Sequence, residues 1–338
     1  MSQLMAHWFE QPAEVGHRGG ESTVEMLRIG DVAAPLATLL PTAVTDVNPA
    51  IEAGFRSNPE AYPGAPDPRI GVHPVNGTVL YAEVRGAGPA VLLVPGGAED
   101  AEGWGPVAER LTGRTVVTYD RRGTLRSGTD DWPGGGSAQH ADDAAGLLHA
   151  LRLRDVVVFG GSSGGVVALR LAVRHTALVR RALAFEPGYL RCVPGGVVLQ
   201  QNVRAAIEGF LVRHPSDWMG AYAAFAGATT PSEAADDHGR LVAPESKDWH
   251  ARREEGNAEA FIRDDLRFLA TELPDEVSLA GLPVEVRFSH GTSSPLFREI
   301  ATHLAAVRGD QPDVIEGVGH ALYLHPDAAA AYILSHSG

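Results

Sequence analysis

From Arg69 onward the apolar positions fall into short runs separated by turns. The first two runs alternate about Asn76-Gly77 within RIGVHPVNGTVLYAEVRG. An Asn-Gly pair between alternating runs predicts a β-hairpin, because both residues tolerate the positive φ of a tight two-residue turn. Later runs are continuous: Ala90–Val94, Thr115–Tyr119, Val156–Phe159, Ala182–Phe185, Val284–Phe288 and Asp313–Ile315. Helical patterns lie between them, as in Ser137–Leu153, where Ala144, Leu147, Leu148 and Leu151 share a face. Short apolar strands alternating with helices predict an α/β fold, its mostly parallel sheet flanked by helices on both faces.

The alternation breaks between Tyr189 and about Leu279. There the pattern predicts helices alone, at Val197–His214, Asp217–Ala228 and Asn257–Leu273, with Trp218, Tyr222, Phe225, Trp249, Phe261 and Phe268 among them. We therefore expect a core of residues 69–188 and 280–338 and a helical lid of residues 189–279 over the carboxyl ends of the sheet. Most of the aromatics would simply pack the lid down. Residues 1–68 form an N-terminal extension rich in proline (Pro59, Pro63, Pro66, Pro68), with a short helical pattern near Ser22–Leu40. A packed arm or a partly disordered tail fits it, and its apolar residues, among them Trp8, Phe9, Met26, Leu27 and Leu36, favour packing.

Composition narrows the function classes. At 44% hydrophobic and 21% charged the chain is ordinary globular material. Its net charge of −14 opposes non-specific binding to nucleic acid or to an anionic membrane. Cys192 is the only cysteine, which excludes an intrachain disulfide and a cysteine zinc cluster, and a reducing cytoplasm fits. No run approaches the ~18 apolar residues of a membrane span. The most apolar early run, Val32 to Val44, is broken by Pro35 and Pro41 and lacks a basic start, so no signal peptide is expected.

The sharpest chemical signal is VVVFGGSSGGVVALRLA, a β-branched strand running through Gly160-Gly161-Ser162-Ser163-Gly164-Gly165 directly into a helix. A serine at such a bend takes a strained backbone, and small neighbours two before and two after let strand and helix approach. The hydroxyl then stands clear of the sheet at a helix N-terminus, where free N–H groups favour a developing oxyanion. Both Ser162 and Ser163 satisfy G-x-S-x-G. Ser162 is preferred because Gly165 then follows the motif, leaving Ser163 to supply a backbone N–H. A phosphate loop is disfavoured, since Val166-Val167 stands where Lys and Ser or Thr would be needed.

With these residues in view, positions 69–338 resemble the α/β-hydrolase superfamily. LLVPGGAEDAEGW is similar to its oxyanion loop, and the match implies Gly97 N–H as the second oxyanion donor. VVTYDRRGTLRSG is similar to the family's Asp-x-x-Gly-x-x-x-Ser turn, which implies structural roles for Asp120, Arg122 and Ser127. VIEGVGHALYLHPDAAAAYI resembles the last strand, histidine loop and closing helix, and so implies that His320 is the general base, with His325 its nearest rival.

The acid departs from the pattern. The usual aspartate after the seventh strand is replaced in VRFSHGTSSPLF by Ser294, whose hydroxyl cannot stabilise an imidazolium as a carboxylate does. The triad is a geometric role, not a sequence position. Glu186, ending the sixth strand in RALAFEPG, fills it, since a glutamate after four apolar residues is costly to bury without a partner. Bacterial hydrolases with Glu-Pro-Pro at this place look similar, as do the zearalenone-type lactone hydrolases. The resemblance implies a serine hydrolase of small hydrophobic esters or lactones with no metal or organic cofactor. Trp104 and Trp218 are candidates to line its pocket. Open alternatives are a cofactor-free lyase, cyclase or acyltransferase on the same triad, and a non-enzymatic ligand receptor. Oligomeric state is not legible.

Overall fold

The computed structural model describes residues 69–132, 135–229, 254–266 and 271–338. The expected N-terminal extension, Trp249 and Phe268 lie outside them. The hairpin forms as Asn76-Gly77 predicts. Strands β1 (Arg69–Val75) and β2 (Thr78–Gly86) pair antiparallel, and the turn residues take φ of 46° and 79°. Then follow β3 (Ala90–Val94), α1 (Gly105–Arg110), β4 (Thr115–Tyr119), α2 (Gly136–Ala150) and β5 (Val156–Gly161). After these come α3 (Ser163–Arg174), β6 (Val179–Phe185), β7 (Glu285–His290), α8 (Pro295–Val307), β8 (Asp313–Val314) and α9 (Pro326–Ser335). The segment between β6 and β7 is helical where described: α4 (Gly196–Arg213), α5 (Trp218–Thr229), α6 over residues 254–266, and α7 (Glu276–Gly281).

The eight strands form one sheet in the order β1-β2-β4-β3-β5-β6-β7-β8, parallel from β4 to β8. Its central strands are buried on both faces, which is why they read as unbroken apolar runs. Leu92 and Val94 point into a core shared with α2, α3 and α8. Val91 and Leu93 point the other way, into a core with α1 and α9. From β3 the chain steps to β4 on one side and later to β5 on the other, so the order reverses between β3 and β5. The carboxyl ends of the strands at such a reversal are where open α/β sheets place their ligands. Among the described residues no helix is long and apolar enough to cross a membrane.

Two departures from the sequence pattern bear on that end of the sheet. Strand β5 extends two residues past Phe159, because Gly160 and Gly161 still pair with Ala184 and Phe185 of β6. The helix expected at Asn257–Leu273 is not regular: residues Phe261–Asp265 form a π turn inside α6. Such turns add a residue to one helical loop and re-aim the side chains on it.

Candidate active site

The bend between β5 and α3 is built from missing side chains. Ser162 sits at φ 53°, ψ −124°, a backbone region that costs an L-residue about 1–3 kcal/mol. A β-carbon on Gly160 would run into the Gly164 carbonyl, and one on Gly164 into the Val94 carbonyl. Strand, helix and the loop after β3 therefore meet backbone to backbone. Ser163 is the first helical residue and fully buried, whereas Ser162 is half-buried. The strained φ thus falls on the more accessible of the two serines.

The turn after β6 wraps this bend. Ser162 N–H donates to Phe185 O at 3.0 Å, and Gly188 N–H donates to Ser162 O at 3.0 Å. Between them Glu186 takes φ 44° and is fully buried. Its Oε1 accepts from Gly291 N–H at 2.8 Å, and its Oε2 lies 2.6 Å from His320 Nδ1. Two residues 134 apart in sequence are so joined at one rim. The Phe297 ring stacks on the imidazole, 3.9 Å between centroids and 15° between planes. Ser294 instead caps α8, its Oγ accepting from Phe297 N–H. His325 opens α9 and is buried.

The loop after β3 carries Gly96 and Gly97. Glu99 folds back beneath it, and Glu99 Oε2 accepts from Gly96 N–H at 2.5 Å and from Trp104 Nε1–H at 2.7 Å. Burial pushes the Glu99 carboxyl up to about 7, against the pull of those two donors and of the nearby His320 and Arg121. On the other side of the same loop, Arg121 Nη2–H donates to Gly96 O at 2.8 Å. Arg121 also pairs with Asp265 of the π turn and reaches Ser163 Oγ at 3.4 Å. The ring of Phe261 lies where a Gly97 β-carbon would be.

Of the two tryptophans, Trp104 is 1% exposed and packs on Phe159 and Tyr323, so its contacts are with core and with Glu99. Trp218 begins α5, half-buried against the core that the helices of this segment share with one face of the sheet. The turn at Asp120 holds itself together: Ser127 Oγ–H donates to Asp120 O at 2.6 Å, and Arg122 forms a buried pair with Asp143. Cys192 is held as a thiol, pushed up to about 12 by burial. Sequence reasoning missed Glu99, Arg121, Asp265 and Phe297. Arg121 and Glu99 stand inside segments singled out for other residues, and Phe297 follows Ser294 by one turn, but no spacing rule links Asp265 to position 121.

A sequence model of the alpha/beta hydrolase family matches residues 91–332. YraK of Bacillus subtilis, an uncharacterized hydrolase, is 41% identical over 128 residues, which is 37% of this chain and 47% of YraK. The human serine hydrolase BPHL is 34% identical over 113 residues, 32% of this chain and 39% of BPHL. The chain thus spans less than half the length of these two curated relatives. The crystal structure of an alpha/beta hydrolase from Sphaerobacter thermophilus superposes with a TM-score of 0.58 at 24% identity. It covers 78% of this chain and 99% of that one.

Proposed function

Because the chain belongs to the alpha/beta hydrolase family, we propose that it is a serine hydrolase that cleaves a small carboxylic ester or lactone through an acyl-enzyme. One observation carries this reading: the buried Glu186, in the turn that wraps the strained, half-buried Ser162, lies 2.6 Å from His320 Nδ1. With Nδ1 committed to the carboxylate, Nε2 takes the Ser162 proton as Oγ attacks the carbonyl. Glu186 orients the ring and stabilises the imidazolium. The N–H groups of Gly97 and Ser163 receive the oxyanion. His320 then returns its proton to the leaving oxygen and activates water to release the acid.

The helical insertion acts in this reading as a lid. Phe261 meets Tyr222 and Phe225 at ring distances of 5.7 and 5.1 Å, forming an apolar cover over the Gly97 loop. That cover supports an apolar acyl or alkyl group on the substrate. YraK and BPHL, both hydrolases by name, are in keeping with the reaction class. No cofactor is needed for this chemistry, and a reducing cytoplasm suits the single thiol.

A fluorophosphonate probe tests the reading. Peptide mapping should place the adduct on Ser162, and Ser162→Ala should abolish both labelling and hydrolysis of p-nitrophenyl esters. An adduct on Ser163, or ester hydrolysis surviving in Ser162→Ala, would overturn it.

A further inference from the structure

The Gly96 residue is gripped from both sides, and one grip originates in the helical insertion. Glu99 takes its N–H and Arg121 takes its carbonyl. Arg121 is 1% exposed and belongs to the turn after β4, while its ionic partner Asp265 lies 144 residues later in the π turn of α6. Asp265 is buried too, and its second oxygen sits 3.3 Å from His140 Nε2 of α2. Burial opposes its ionisation, but Arg121 and His140 together hold its carboxyl below the usual carboxylate range. Phe261 and Asp265 stand four apart and both descend on the same loop, Phe261 onto Gly97 and Asp265 onto the arginine that holds Gly96.

We propose that Asp265 and Arg121 are positioning residues: a buried ionic strut through which the helical insertion sets the Gly96–Gly97 peptide, and with it the oxyanion donor. This inference rests on the reading of Gly97 as that donor. Its physical basis is that the buried Arg121 Nη2 meets the Gly96 carbonyl, the Asp265 carboxylate and the Ser163 hydroxyl at once, so moving any one of them moves the contact to the loop. A donor displaced by about 1 Å loses on the order of 10² in rate. A surface ion pair would do nothing of the kind.

The full-length protein and two variants test it. Asp265→Asn keeps the shape and removes the charge. It should slow fluorophosphonate labelling and kcat together by about 10², with KM within a few-fold of wild type, because the phosphonyl oxygen needs the same donor. A single change leaves Arg121 buried without its carboxylate and lowers stability. The double variant Arg121→Met with Asp265→Leu replaces the pair by apolar volume, and its melting temperature should return close to wild type while labelling stays slow. Recovery of wild-type labelling in the double variant would reduce the pair to a fold-stabilising role and overturn the proposal, as would an unchanged labelling rate in a folded Asp265→Asn. Failure of the wild-type protein to label at all would instead sink the serine hydrolase reading, so the two failures are distinguishable.

Discussion

The β5–α3 bend and the Glu186–His320 pair share one rim yet are built by opposite means. The bend is local: its glycines and its serine lie within six consecutive residues, and Gly160 and Gly164 each answer a backbone clash. The pair spans 134 residues, and it depends on β6 pairing with β7 so that the Ser289–Gly291 backbone can hold Glu186. A local device can be read from sequence and is broken by adding one atom. A long-range one is hidden until the sheet closes and is broken by removing one charge.

Variants sharpen that contrast. The largest expected effect is at the bend itself, where Ser162→Ala should lower kcat for an ester by about 10⁶, measured by steady-state hydrolysis. At the long-range end, Glu186→Gln should cost about 10⁴ in kcat. Ser294→Ala should leave the rate alone and lose only about 1 kcal/mol of stability through its helix cap. The reverse ranking would return the acid to the position after β7. Third, Gly164→Ala should lower the urea midpoint by the equivalent of about 1–3 kcal/mol, because its β-carbon enters the Val94 carbonyl. Gly161→Ala should be tolerated, since its β-carbon would be 3.7 Å from Phe185, an ordinary contact. Equal losses at the two glycines would show that the bend is not limited by backbone approach.

The last expected effect is a pH dependence beneath the Gly96 loop. Glu99 titrates at about 7 in the folded protein against 4.5 as its ordinary value, so the native state binds that proton more tightly than the unfolded chain. Its contribution to stability is complete below pH 4.5 and is lost as pH rises through 7. Urea midpoints taken between those limits should fall less steeply in Glu99→Gln than in wild type. Parallel slopes would remove Glu99 as the group responsible.

The fold was legible because its signals are periodic and local. The Asn76-Gly77 turn, the unbroken apolar strands and the glycine-flanked serine each follow from how a short stretch of backbone must bend or be covered. Glu186 was also legible, but through energetics: a carboxylate ending an apolar strand demands a partner, and His320 is that partner by distance. The helix over Asn257–Leu273 was legible only in outline. Its π turn follows no sequence period, and Asp265 there looks like any solvated acid.

Sequence alone therefore determined the strand order's raw material, the bend and the two residues that pair at the rim, because burial pattern and backbone sterics act over a few residues. Tertiary structure alone decided that Arg121, in a turn after β4, would stand between Gly96 and a carboxylate of α6. A charge finds its partner by proximity in space, and the chain's numbering carries no record of which buried cation an acid 144 residues away will meet.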